Sequence, residues 1–249
     1  MDTSIFKNED YFFEGYVKGW SVSCWSRWEN ETMLEGDISA AMCAFFGDLE
    51  EVTINFFCQK MGVKKSARYA YRLREISSAE PFVSGLLGSE VTSGKSTQRR
   101  PDIALTRTNL DSEQDELIGA VELKGNAQIN YVNCPTGEHP HYSNQVICYT
   151  NGCWLDPEKV DNDAVKYLWL APEQKLSTEK MRSVGIRADA DHWTHNNGVS
   201  GSLEAFYWQE NAWQYKWRKA AVQELCDVIA AVHSGLGEFA EAVRKWCSR

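Results

Sequence analysis

The sequence predicts an α/β domain: helical stretches come first, a block of short apolar runs follows, and a long helix closes the chain. Three observations carry that expectation. Apolar stripes of helical period run through residues 31–76, short runs bounded by glycine, serine and proline begin at Pro81, and apolar residues return at helical spacing after Val222. The 249 residues suit a single domain, with a core over about 31–171 and a C-terminal addition over 172–249. A chain of this size can bury a core without disulfide staples.

The first thirty residues are aromatic and irregular. A helix is expected from about Glu31 to Phe46, with Asn30 as N-cap and Leu34, Ile38, Ala41, Met42 and Phe45 along one stripe. A second helical stretch covers Leu49 to Gly62. ARYAYRLREI, residues 67–76, reads as a third, with Arg68, Arg72 and Arg74 on its solvated face. PFVSGLLGSEV (81–91) is the first expected strand, PDIALTR (101–107) the second and LIGAVELK (117–124) the third, the last two joined by the polar loop NLDSEQDE. A short helix around Ser143 to Thr150 precedes VKYLWLA (165–171), the fourth strand.

The C-terminal third reads as support. SLEAFYWQENAWQYKW predicts a hairpin turning at Glu210-Asn211, with Phe206, Trp208, Trp213, Tyr215 and Trp217 on a common face against the last helix. That helix carries Val222, Leu225, Ile229, Val232, Leu236, Phe239 and Val243, with Gly235 and Gly237 as kink points.

Composition narrows the function. A net charge of −9 and a pI near 5.1 argue against a coat protein that binds nucleic acid by neutralising phosphates everywhere. They leave room for a carboxylate-rich metal site, which makes its own surroundings acidic. The N-terminal residues are charged where a secretory leader would be apolar, and no run is long enough to span a membrane. The eight cysteines are scattered without a C-x-x-C pair, so the expectation is reduced thiols in a cytoplasmic protein.

The chemistry concentrates in RRPDIAL and GAVELKG. In a strand, residues two apart share a face, so Glu122 and Lys124 project together while Leu123 points into the core. Asp102 opens the neighbouring strand, where Ile103 and Leu105 take the core face. A hairpin between the two brings Asp102 to Glu122, and two carboxylates that close repel each other unless a cation sits between them. Mg²⁺ suits such a place, being hard, oxygen-seeking and slow to give up its waters. Lys124 is then placed to orient a water or to meet charge growing on a phosphate, and the Leu123 carbonyl is a further candidate ligand. The bland alternative is two solvated strand ends with an ordinary Glu–Lys pair.

Glu31 and Glu35 lie one turn apart on or beside the stripe of the first helix, as first-turn acids or as ligands. Gln145 and Tyr149 share a face at i and i+4, the glutamine able to orient Lys124 or a phosphate and the tyrosine to contact the nucleic-acid backbone. Lys95, Arg99 and Arg100, just before Asp102, are candidate phosphate contacts.

The acidic helix, the Asp102 strand, the Glu122-x-Lys124 strand, the helix and the closing strand together resemble the PD-(D/E)XK, or restriction-endonuclease-like, superfamily. Gln145 and Tyr149 resemble the Q-x-x-x-Y motif of its RecB-like and Cas4-like branch. The resemblance implies an αβββαβ core whose four-stranded mixed sheet is flanked by helices. It also implies Mg²⁺-dependent phosphodiester hydrolysis, with Mn²⁺ able to substitute, and a metal site completed by Glu35 or Glu31, Glu35 being favoured. Branch members with an iron–sulfur cluster carry a close cysteine trio; Cys153, Cys226 and Cys247 do not form one, so no cluster is expected. The implied substrate is DNA, single- or double-stranded, in restriction, phage defence or phage DNA processing. RNA as substrate stays open, and so does a nuclease-fold module that binds without cutting. A homodimer or a partner subunit fits duplex cleavage.

Overall fold

The computed structural model describes residues 26–27, 33–76, 81–88, 100–125, 131–134, 141–144, 149, 152, 154–176, 186–189, 192–195, 200–202, 217–232 and 237–248. Two helices lead into the sheet, α1 (Glu35–Ala44) and α2 (Gly47–Met61). The Asp37 carboxylate accepts the Leu34 backbone N–H at 2.9 Å and so holds the start of α1, while Asn30 lies outside the described residues. Gly62 ends α2 in the left-handed region, at φ 73°, where its N–H reaches the Gln59 carbonyl. A residue without a Cβ adopts that conformation at no steric cost.

The strands are β1 (Tyr69–Glu75), β2 (Ile103–Asn109), β3 (Asp115–Leu123), β4 (Tyr131–Cys134), β5 (His141–Asn144), β6 (Lys166–Ala171), β7 (Ile186–Asp189), β8 (His192–His195), β9 (Ser200–Ser202) and β10 (Trp217–Ala221). Five of them form one open mixed sheet in the order β1-β2-β3-β6-β10, antiparallel from β1 to β3 and parallel from β3 to β10. The remaining strands pair as β4-β5 and β7-β8-β9. Helix α3 (Pro81–Leu86) precedes β2, and α4 (Val222–Val232) follows β10 directly; α5 (Gly237–Cys247) ends the described chain.

The fold is therefore α/β, and four elements differ from their expectation. Residues 67–76 form an edge strand, not a helix: Tyr69, Tyr71 and Leu73 alternate along it, and Leu73 stands opposite Leu105 of β2. The arginines at i and i+4 mimic helical spacing, but the apolar period is two. Residues 81–86 form a short helix in place of the expected strand, with Pro81 in its first turn and Val83 and Leu87 buried one turn apart. The C-terminal apolar stripe belongs to two helices, α4 and α5, and Gly237 opens the second. The expected helix at 143–150 begins instead with the end of β5, and only Tyr149 of its remainder is described, as helical. The hairpin expected at 202–217 lies outside the described residues except at its ends, Ser202 and Trp217.

Both faces of the sheet are covered. One presents Ile103, Leu105, Val121, Leu123, Leu168, Leu170 and Ala220 to the helices α1, α2, α4 and α5. The other presents Ala104, Ala120, Tyr167, Trp169 and Trp217 to Tyr149, Trp154 and Leu155. Trp217 thus packs with Tyr167, ring centroids 4.9 Å apart, rather than on the last helix. The Tyr167 hydroxyl ties this layer together, donating toward the Asn162 side-chain oxygen (2.7 Å) or the Tyr149 carbonyl (3.0 Å) and accepting from Trp154 Nε1 at 3.1 Å.

Candidate metal centre

Register decides which side chains meet. Ile103 stands opposite Val121 in the antiparallel β2–β3 pair, so the next position outward sets Asp102 opposite Glu122. Directly opposed residues point to the same face. The Asp102 N–H donates at 3.0 Å to the carbonyl of Val121, the residue paired with Ile103, so the ladder turns irregular just where Asp102 precedes β2. Its carboxylate turns back to accept the Leu123 N–H at 2.7 Å.

Lys124 follows β3 by one residue and is fixed by its own N–H, which donates to the Leu170 carbonyl of β6 at 2.9 Å. Its ammonium lies 2.7 Å from Glu122 Oε1 and 3.5 Å from Glu35 Oε2. The other Glu35 oxygen accepts the Gly125 N–H at 2.7 Å. The first residue of α1 is thereby clamped to the end of β3. Glu122 and Lys124 are 2% and 7% exposed, so the cluster is nearly dry.

Electrostatics follow from that burial. Loss of water pushes the Asp102 carboxyl up to about 6, against the pull of Lys124 and the Leu123 N–H; Glu35 and Glu75 add to the rise. Glu122 is pushed well above the carboxylate range, first by burial and then by Asp102. Burial alone would lower Lys124, yet Glu122, Glu35 and Asp102 outweigh it and hold its ammonium firmly protonated. Two neighbouring carboxylates raised in this way favour a cation, which reverses both shifts.

The donor set fits Mg²⁺ in kind. Among the described residues no three acidic, histidine or cysteine side chains stand together as metal ligands. Mg²⁺, however, is commonly held by one or two carboxylates with waters completing its shell. Asp102 and Glu122 would be such a pair, with the Leu123 carbonyl as a further candidate. Glu35, 3.5 Å from the Lys124 ammonium, also adds its charge to Asp102 and Glu122.

The remaining sequence candidates divide. Tyr149 is 1% exposed inside the aromatic layer. Arg100 is half-buried two residues before Asp102. Lys95, Arg99, Gln145 and Glu31 lie outside the described residues. Two participants escape sequence reasoning. Gly125 enters it only as the tail of GAVELKG, yet its N–H holds Glu35, and a Cβ there would fall 2.1 Å from the Trp246 ring. Glu75, exposed at the end of β1, bears on Asp102. The Tyr-x-Tyr-x-Leu alternation leading to it is the signal that could have placed it.

No protein family matches the sequence, and no curated protein or solved structure matches the chain. Among the described residues no helix is long and apolar enough to cross a membrane.

Proposed function

We propose that the chain is a metal-dependent phosphodiesterase acting on nucleic acid, with a restriction-endonuclease-like core and Asp102, Glu122 and Lys124 at its centre. The observation that carries this reading is the meeting of those three residues: two carboxylates opposed across one hairpin, both raised by burial, with a buried lysine on the same strand. A cation held by Asp102 and Glu122 supplies an acidified water and offsets charge growing on the phosphate. Lys124 keeps its proton and presents fixed positive charge to the attacked phosphate. Glu35 aims that ammonium from the side, and the Gly125 N–H aims Glu35. DNA is the substrate proposed, and a homodimer or a partner subunit supplies the second cut in a duplex.

Purified protein incubated with supercoiled plasmid, single-stranded DNA or RNA in Mg²⁺, Mn²⁺ or EDTA tests the reading. Cutting that requires metal and disappears in Glu122→Gln supports it; no cutting of any substrate sinks it. A second reading, a nuclease-fold module that binds without cutting, draws support from the burial of Glu122 and its closed ion pair with Lys124. Calorimetric titration separates the two, because such a module takes up no Mg²⁺ at this site.

A further inference from the structure

We propose that the cleft between the start of α2 and the edge strand β1 binds one base of single-stranded nucleic acid, a base bearing an exocyclic amino group. The adjoining phosphates are held by Lys64, Lys65 and Arg68. This names the form of substrate for the hydrolase reading and rests on that reading only for its purpose, since the binding can be read without catalysis.

The cleft has a volume of about 370 Å³, within the range of small-ligand sites, and Glu50, Glu51, Lys65, Tyr69 and Tyr71 are among its walls. Because residues 69–75 are a strand, Tyr69 and Tyr71 point to one face together, their ring centroids 6.5 Å apart. Each ring has a cation against it: Lys65 Nζ lies 5.6 Å from the Tyr71 centroid, and the Arg107 guanidinium carbon 4.2 Å from that of Tyr69. Lys64, Lys65 and Arg68 are exposed at the rim, where they set three cations beside the Glu50 and Glu51 walls.

Aromatic rings that stack bases, set in a positive groove that tracks the backbone, are what single strands need from a protein. The two glutamates repel phosphate but accept hydrogen bonds from the amino groups of cytosine or adenine, which thymine lacks. They therefore select among bases while the rim supplies attraction. Tyr71 is five residues upstream of Ile76, whose N–H bonds the Asp102 carbonyl at 3.1 Å. At about 3.3 Å per residue the cleft is about 17 Å along the strand from the carboxylate pair. Tyr71 and Leu73 lie on the helical face of the sheet and the carboxylate pair on the other.

The test is fluorescence anisotropy in EDTA, at low salt, with labelled oligo-dA, oligo-dT and oligo-rA of equal length and an oligo-dA·oligo-dT duplex. Oligo-dA is expected to bind more tightly than oligo-dT and than the duplex, and the oligo-rA arm tells RNA from DNA as the source of the strand. Tyr71→Ala should weaken oligo-dA binding about 5- to 100-fold, the loss of one stacked base. Lys64→Glu combined with Lys65→Glu should weaken it and flatten its salt dependence. Tyr71 also accepts the Ser66 N–H, so a thermal melt accompanies its variant; if that variant fails to fold, the exposed lysine pair decides. No binding by the native chain, or binding that neither substitution alters, overturns the site. Equal affinity for oligo-dA and oligo-dT overturns the part given to the glutamates. Binding at the cleft by a protein that cuts nothing keeps the site and removes the hydrolytic reading.

Discussion

Strand β3 shows its two faces to very different neighbours. Val121 and Leu123 point to the helical layer and are fully buried among aliphatic side chains. Ala120, Glu122 and, one residue past the strand, Lys124 alternate with them on the opposite face, the one that Tyr167, Trp169 and Trp217 share. A single run of residues thus buries aliphatic side chains on one side and charged ones on the other, and the period of two keeps the two sets separate. The charged face is not a solvated one. Glu122 and Lys124 are buried, so each charge answers to its neighbours rather than to water. That contrast can be broken one residue at a time.

The largest effect is expected at Lys124. Lys124→Ala removes the ammonium that lies 2.7 Å from Glu122, whose side chain is only 2% exposed. Removing one partner of a buried pair costs about 3–5 kcal/mol. Protonation of Glu122, already raised well above its ordinary range, should limit the loss, so urea melts should show a smaller deficit at acid pH than at pH 8. Metal-dependent cutting should fall at least ~100-fold, the scale of losing a preorganised charge next to the reacting atoms. A deficit that grows toward acid pH would show that Glu122 does not face Lys124 alone.

Leu123→Ala tests the other side of the strand. A fully buried leucine shortened to alanine costs about 2–5 kcal/mol, depending on how far the helical layer closes over the cavity. Its N–H still donates to Asp102 and its carbonyl is unchanged. Cutting measured well below the melting temperature should therefore stay within a few fold of the native rate, while the melt moves down. Equal losses of activity and stability in both variants would mean that the two faces are not separate.

Asp102→Asn sets stability against cutting. The folded carboxyl, raised to about 6, holds its proton where the unfolded chain has released it, so stability falls as pH rises from about 4 to about 6 and stays reduced above that. An asparagine can still accept the Leu123 N–H but carries no charge to bury. At pH 7 the variant should be more stable by on the order of 2–3 kcal/mol, at ~1.4 kcal/mol for each pH unit that separates the folded from the unfolded carboxyl. It should also lose the slope of stability between about pH 4 and 6. Mg²⁺ affinity and cutting should be lost with it. Native cutting should rise with pH through the same window, as the ligand ionises. A variant less stable than the native chain at pH 7 would show that the Asp102 charge is compensated by its neighbours.

How much of this is legible in the sequence depends on the range of the interactions. Asp102, Glu122 and Lys124 can be placed near one another because the hairpin is local, but the bulge between Leu105 and Thr106, which shifts the register by one residue before it reaches the site, carries no local signal. The second expected strand, the third and the closing one are readable for the same reason. Residues 67–76 mislead because Arg68 and Arg72 copy a helical spacing, and only the pairing of Leu73 with Leu105, thirty-two residues on, fixes the strand. The cover over the second face of the sheet is not readable at all. It draws on Tyr149, Trp154 and Leu155, and nothing in their local sequence says which face of which sheet they cover.

The smallest expected effect is also the most local, and it probes the seam between the two faces. Gly125 follows Lys124, donates its N–H to Glu35, and lies against Trp246 of α5 so closely that a Cβ would sit 2.1 Å from the ring. Trp246 is 6% exposed and belongs to the helical layer, so this contact joins the stable side of the molecule to the charged side. Gly125→Ala must move either the ring or the backbone. Overpacking of this kind costs about 1–3 kcal/mol. If the ring moves, the Glu35 bond survives and cutting follows stability. If the backbone moves, Glu35 loses its anchor and Lys124 loses its aim, so cutting falls further than the melt predicts. Adding Trp246→Phe to Gly125→Ala makes room for the new methyl group. Recovery of both properties in the double variant would place the α5 contact in control of the lysine; recovery of the melt alone would confine it to packing.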